Sequence, residues 1–116
     1  MQITHKSLTR VDVLTLTGRL DASSAPELER QIDLLFDQGR YRIVLDLSGL
    51  EYIASAGLRV LRAVRQQARA WEISDREGGD VRIANLTPRV RETFDLTGFS
   101  SFFKNYSETV KAVNSF

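Results

Sequence analysis

One segment near the middle of the chain constrains the fold more than any other. Residues Ile43-Val44-Leu45-Asp46-Leu47 form a nearly continuous apolar run of strand length, and Ser48-Gly49 ends it. Such a run is typical of a strand that is buried on both faces, and strands of this kind occur mainly in parallel pairing. Since parallel strands need crossover connections, usually helices, the segment predicts an α/β domain.

The flanking segments supply the other elements of such a domain. Residues 2–8 and 11–17 predict two strands joined by a short hairpin, and three long stretches show helical spacing of apolar residues. These helices are expected after Ser24, from about Ser55 to about Trp71, and from Thr87 to Gly98. The predicted order is β-β-α-β-α-β-α-(β)-α, with the bracketed edge strand at Ser101–Phe103. This order describes a mixed β-sheet with an N-terminal hairpin and about four helices.

Several local patterns refine this prediction. Ser24 and Glu27 have the spacing of a capping box at the first helix, and Thr87 is expected to cap the third. Leu96 is expected to pack inward from that third helix. The polar segment Glu72–Asp80 contains two adjacent glycines and is therefore predicted to be a surface loop.

Composition narrows the class of protein. The chain has 116 residues, 42% of them hydrophobic and 27% charged, which predicts one globular domain over residues 1–116. Cysteine is absent and His5 is the only histidine, so thiol chemistry is excluded and a catalytic zinc site is not expected. The net charge of +1 does not suggest nucleic-acid binding.

The distribution of apolar residues predicts where in the cell the protein is located. No apolar run approaches the roughly 18–20 residues that cross a bilayer, and residues 1–6 lack the apolar core of a signal peptide. We therefore expect a cytoplasmic protein without a membrane association. No cofactor, metal or small-molecule substrate is expected.

Ser55 is the first candidate for a functional residue. It lies where the buried strand and its turn lead into the second long helix, and a helix N-terminus tolerates an anion. A phosphate on Ser55 would add about −1.5 to −2 charges at one point of the surface. The competing interpretation, which spacing alone favours, is that Ser55 is only the N-cap of this helix.

Other candidates are weaker. Asp21, between a strand and the first helix, could accept a partner's basic or hydroxyl group, although an ordinary turn carboxylate is the simpler interpretation. Four arginines along the second helix predict a basic stripe, which is either a surface for an acidic partner or a solvated face: Arg59, Arg62, Arg65 and Arg69. An enzyme would need a catalytic pair, such as Asp21 with His5 in one pocket, and none is evident.

The segments Leu47-Ser48-Gly49-Leu50 and Ala54-Ser55-Ala56-Gly57-Leu58-Arg59 resemble those of STAS domains, the family of bacterial anti-sigma factor antagonists. Two further segments agree with this resemblance: Gly18-Arg19-Leu20-Asp21 and Thr87-Pro88-Arg89-Val90-Arg91. The resemblance implies a protein that binds an anti-sigma factor, often itself a serine kinase, and so frees a sigma factor. The kinase then phosphorylates the antagonist, and a serine phosphatase resets it. The partner surface implied for this chain comprises Asp21, Ser55, Ala56, Gly57 and Arg59.

The chain departs from the family's pattern at one position. The family's motif is commonly Asp-Ser-Ser-Gly, and the phosphate acceptor is the serine directly before the glycine. Here that position is Ala56. Two hypotheses therefore stay open: Ser55 takes the phosphate, or the protein is a non-phosphorylated scaffold or accessory subunit of a transport or sensory complex.

Overall fold

The computed structural model describes residues 1–74 and 77–116 of the chain. Its strands are β1 (Gln2–Ser7), β2 (Asp12–Leu20), β3 (Arg42–Ile53), β4 (Glu72–Ser74), β5 (Glu77–Gly78), β6 (Asp80–Ala84) and β7 (Asn105–Tyr106). Its helices are α1 (Ala25–Asp37), α2 (Ser55–Arg69), α3 (Pro88–Thr97) and α4 (Thr109–Asn114). None of the helices in these two ranges is long and apolar enough to cross a membrane.

Five strands form a mixed sheet in the order β1-β2-β3-β6-β7. The first two pair antiparallel as a hairpin, and every other neighbouring pair is parallel. This arrangement confirms the predicted α/β fold with its N-terminal hairpin. The strands β4 and β5 pair separately as a second, two-stranded sheet.

Both faces of the main sheet are covered. On one face, Leu45 and its neighbours pack against helices α1, α2 and α3, and on the other Val44 packs against α4 through Ala112. Because successive residues of β3 enter these two cores in turn, the strand needs apolar residues at nearly every position. That requirement explains the continuous apolar run.

Asp46 is the polar exception within that run. Its carboxylate accepts hydrogen bonds from the Asn85 side chain and the Ser48 backbone N–H, both at 3.0 Å, and from the Thr109 hydroxyl at 3.3 Å. Burial alone would raise the pKa of Asp46, but these hydrogen bonds outweigh burial and lower it. The carboxylate thereby ties the first residue of α4 to the central strand.

The prediction of a surface loop over Glu72–Asp80 is wrong. This segment contains β4, β5 and the buried first residue of β6, while its residues 75 and 76 lie outside the described residues. Gly79 lies so close to the backbone of Ala68 and Tyr41 that a methyl group there would clash with both. The glycine therefore permits a close approach of two segments, which local composition could not distinguish from loop flexibility.

Three other local predictions are wrong. Leu96 is 81% exposed, because Phe94 and Val90 already supply the inward face of α3. Ser101–Phe103 is not a strand; Phe103 is buried in an aromatic cluster with Phe94 and Phe99, and the edge strand follows as β7. Helix α2 ends at Arg69, before the position expected, and Trp71 stacks on Tyr41 beyond that end.

Candidate partner-binding site

The candidate residues meet where two neighbouring parallel strands end. Leu20, the last residue of β2, pairs with Ile53, the last residue of β3. The Ala54 backbone N–H donates a 2.9 Å hydrogen bond to the Leu20 carbonyl oxygen. This bond holds the ends of β2 and β3 together. Asp21 and Ser55 therefore begin the next segments at the same edge of the sheet, which is where ligand sites of parallel α/β sheets form.

Ser55 is the first residue of helix α2, and Ala54 occupies the N-cap position with extended backbone angles. The interpretation of Ser55 as the N-cap is therefore wrong. Its side chain is exposed and makes no hydrogen bond within the described residues. The hydroxyl is consequently exposed to solvent at the start of α2.

Ala56 and Gly57 differ in how much surface they offer. Ala56 is half-buried, whereas Gly57 is buried against the end of β2. A Cβ atom on Gly57 would lie 2.7 Å from Leu20 Cγ and 3.0 Å from the Leu20 carbonyl oxygen. Glycine thus allows the first turn of α2 to lie directly on the strand end, and so positions Ser55.

Asp21 turns the chain from β2 into α1. Its carboxylate accepts hydrogen bonds from the Ser23 hydroxyl at 2.7 Å, the Ser23 N–H at 3.0 Å and the Ser24 N–H at 3.2 Å. Hydrogen bonding from Ser23, supported by Ser24, lowers the pKa of Asp21, so the carboxylate is ionised at neutral pH. It places a negative charge on the rim of the site.

The predicted capping box does not form at the start of α1. The Ser24 hydroxyl accepts from the Asp21 N–H at 2.9 Å and donates to the Arg19 carbonyl oxygen at 2.8 Å. Glu27 instead bonds to Arg30 and Gln31, and the hydrogen bond from Arg30 is the main reason why its pKa falls to about 2. Ser24 therefore stabilises the turn that contains Asp21.

The four arginines of α2 do not form one solvated stripe. Arg59 is exposed and has no hydrogen bond or ion pair within the described residues. Arg65, only 15% exposed, lies 3.4 Å from the buried Asp80 and stacks over the Phe102 ring at 4.6 Å. The end of α2 near Ser55 thus presents a free guanidinium group, whereas the later part of the helix uses Arg65 for internal packing.

The structure does not bring His5 and Asp21 together as a pair. His5 Nε2 is 2.8 Å from the buried carboxylate of Asp12, which also accepts a 2.7 Å hydrogen bond from Arg40. This carboxylate joins the β1–β2 hairpin to the segment before β3. Over residues 1–74 and 77–116 there is no cluster of three or more side chains suited to hold a metal ion.

A groove beside Ser55 was not foreseen from the sequence. It has a volume of about 450 Å³ and runs between the first halves of α1 and α2. Its α1 wall carries Pro26 and Glu29, and its α2 wall carries Ala56 and Arg59. The helical periodicities identified the buried faces of both helices, but not the distance or the angle at which the two helices would meet.

This fold is that of a known family. The STAS domain model matches residues 2–113, so the chain belongs to the STAS domain family. A Bordetella bronchiseptica protein that carries the name anti-sigma factor antagonist BtrV is 36% identical over 103 residues, which are 89% of this chain and 84% of BtrV.

Solved structures share the fold at lower identity. An anti-sigma factor antagonist from Mycobacterium paratuberculosis has a TM-score of 0.81 at 24% identity, covering 98% of this chain and 92% of that one. SpoIIAA of Bacillus in its phosphorylated form has a TM-score of 0.70 at 19% identity, covering 98% of each chain. A sulfate transporter family protein from Wolinella succinogenes has a TM-score of 0.74 at 14% identity, covering 93% and 85%.

Proposed function

We propose that this protein is an anti-sigma factor antagonist, a single STAS domain that binds an anti-sigma factor in the cytoplasm and so releases a sigma factor. Family membership and the similarity to BtrV support this proposal. The observation that carries it is the exposed Ser55 hydroxyl, which makes no hydrogen bond within the described residues, beside the ionised Asp21 at one sheet edge. The proposed surface comprises Asp21, Ser55, Ala56 and Arg59, with Gly57 setting its backbone.

Phosphorylation of Ser55 would regulate this surface. A phosphate at the first residue of α2 faces unpaired backbone N–H groups, so the folded domain tolerates it. A docked partner, by contrast, would have to desolvate about −1.5 to −2 extra charges. A hundredfold loss of affinity corresponds to only about 2.7 kcal/mol, which one uncompensated buried charge readily exceeds.

Ser55 is the acceptor that the local chemistry supports. Ala56 has no hydroxyl, although it occupies the family's usual acceptor position. Ser55 precedes it by one residue and is exposed at the same helix start. SpoIIAA, which shares the fold, has been described in a phosphorylated form. In this proposal the partner is a serine-kinase anti-sigma factor, and a serine phosphatase reverses the reaction.

The first test compares partner binding by Ser55→Asp and Ser55→Ala. Each serine-kinase anti-sigma factor of the source organism is titrated with the wild type and with each variant by calorimetry. For the partner we expect about a hundredfold weaker binding of Ser55→Asp and near wild-type binding of Ser55→Ala. Ser101→Asp adds the same charge at another exposed serine and is expected to bind normally. Equal affinities for wild type and Ser55→Asp would contradict the switch, and no binding by the wild type would contradict the proposed function.

A second test addresses the acceptor directly. The wild type and Ser55→Ala are incubated with the same anti-sigma factor and ATP, and their intact masses are measured. We expect the mass of one phosphate on the wild type and none on Ser55→Ala. If the wild type gains no mass while Ala56→Ser does, the kinase is active and this chain is not its substrate.

The alternative function is a non-phosphorylated scaffold or accessory subunit of a transport or sensory complex. Ala56 at the usual acceptor position favours it, and a sulfate transporter family protein shares the fold. A gene neighbourhood with transporter genes and without an anti-sigma factor, together with no mass gain from kinases, would support this alternative.

A further inference from the structure

We infer that the groove between α1 and α2 receives one amphipathic helix of the partner, whose apolar ridge is flanked by a basic residue on one side and an acidic residue on the other. The identification of that helix as part of an anti-sigma factor rests on the proposed function. The shape and charge of the groove do not.

The groove has an apolar floor of small side chains. Ala25 is buried, and Ala56, Val60 and Ala63 are half-buried along the groove. Short side chains leave its volume of about 450 Å³ open to larger side chains from outside. Burial of apolar side chains in such a site is favourable, and an amphipathic helix presents several of them on one face.

The two walls carry opposite charges. Glu29 of α1 and Arg59 of α2 both line the groove, and neither makes a hydrogen bond or ion pair within the described residues. Glu27 on the same helix is, in contrast, already engaged by Arg30. These two charges of opposite sign, without partners among the described residues, lie on the two walls of an apolar floor, so a ligand that carries both signs on separate sides complements the groove.

This charge pattern favours a protein helix over other occupants. A nucleic acid or an anionic bilayer would bring negative charge against Glu29 as well as against Arg59 and would be repelled on one wall. A helix carries different side chains along its two flanks, three and four residues apart, and so satisfies both walls.

The groove also connects this helix to Ser55. Ala56 lines one end of the groove, and Arg59 lies four residues after Ser55, on the same side of α2. A phosphate on Ser55 would therefore place its charge next to the guanidinium that the acidic flank of the partner helix needs.

The test selects helices without assuming a partner. A displayed library of helical peptides, randomised on one face, is selected on the wild-type protein and counter-selected on Ala63→Trp, whose indole would fill the groove. We expect the selected peptides to carry an apolar ridge between a Lys or Arg and an Asp or Glu. Glu29→Arg and Arg59→Glu are each expected to weaken these peptides about tenfold.

The double exchange Glu29→Arg with Arg59→Glu is the internal control. It restores one charge of each sign, and a helix laid in the opposite direction presents exchanged flanks, so binding is expected to recover. Selection that yields no helix sensitive to Ala63→Trp, or helices indifferent to both single reversals, would overturn the inference. If an anti-sigma factor binds the wild type and both charge reversals equally, the inference fails while the proposed function stands. If the peptides behave as expected and no anti-sigma factor binds, the proposed function fails while the helix-binding groove stands.

Discussion

At Gly57 the backbone of α2 lies directly against the last residue of β2. The nearest atoms to an added methyl group include the Leu20 carbonyl oxygen, which belongs to the hydrogen bond that joins the two strand exits. A rigid backbone atom cannot move aside as a flexible side chain can. The position of Ser55 therefore depends on the absence of a side chain two residues later.

We accordingly expect Gly57→Ala to destabilise the protein by roughly 1–3 kcal/mol, measured by urea denaturation. Gly78→Ala is a matched control, because a methyl group there would meet only the Trp71 carbonyl oxygen at an ordinary 3.6 Å. A similar loss of stability in both variants would show that close packing at Gly57 is not the cause.

Asp12 is a second residue whose neighbours determine its contribution to stability, because it is only 1% exposed. Burial alone would raise the pKa of Asp12, but hydrogen bonds from Arg40, His5 and Ser7 outweigh burial and lower it. Such a lowered pKa stabilises the folded protein at pH values above the unfolded-state pKa of about 3.9. This stabilisation is lost as the pH falls through the folded-state pKa.

We therefore expect Asp12→Asn to lower the free energy of unfolding by about 2 kcal/mol at pH 7. This gap in unfolding free energy between wild type and variant should shrink as the pH falls below about 4. Denaturation curves across this pH range measure the gap. A gap that is constant with pH would contradict the assignment.

At the scale of elements, two helices begin in different ways. The Thr87 hydroxyl accepts a 3.4 Å hydrogen bond from the Val90 N–H and caps α3, as predicted, and Gly98 ends that helix with a φ of 80°. Helix α2 begins at Ala54 without a side-chain cap. The missing cap leaves the N–H groups near Ser55 unsatisfied by any side chain of its own first turn.

This difference predicts unequal effects of two similar mutations. Thr87→Ala should destabilise the protein by about 1 kcal/mol, because it removes a helix cap. Ser55→Ala should stay within about 0.5 kcal/mol of the wild type, since the Ser55 hydroxyl makes no hydrogen bond with a described residue. Thermal unfolding of both variants checks this, and a loss in Ser55→Ala equal to that in Thr87→Ala would show that Ser55 has a structural role.

At the scale of the whole molecule, one buried carboxylate connects distant parts of the chain. Asp80 at the start of β6 lies 3.0 Å from Arg82 Nε and 3.4 Å from Arg65 Nε of α2. Arg82 in turn donates to the Ser115 hydroxyl at 2.7 Å and lies over the Phe116 ring. The second helix and the C-terminal residues are thus linked through Asp80.

Asp80→Asn should destabilise the protein by about 3 kcal/mol, because it leaves two largely buried guanidinium groups without their counter-charge. Chemical denaturation measures the change. Glu27→Gln, which breaks an exposed pair on α1, is the control and should leave the unfolding midpoint nearly unchanged. Equal shifts in the two variants would contradict the role given to Asp80.

The sequence predicted the order of the helices and of the main-sheet strands, although not the β4–β5 pair or the position of β7. Periodicity and apolar runs depend on which face of each element is buried, and this information lies within one segment, as β3 and the buried face of α2 show. The turn at Asp21 and the helix start at Ser55 were placed correctly for the same reason.

Which side chains have hydrogen-bond or ion-pair partners depends on the tertiary structure and could not be predicted from the sequence. The Ser55 hydroxyl has no partner among the described residues because Ala54, and not Ser55, occupies the N-cap of α2. Arg65 is paired because Asp80 approaches it from another strand. Glu29 and Arg59 face one groove because α1 and α2 follow adjacent parallel strands. Such pairings join residues far apart in the chain, and no local pattern encodes the distance between them.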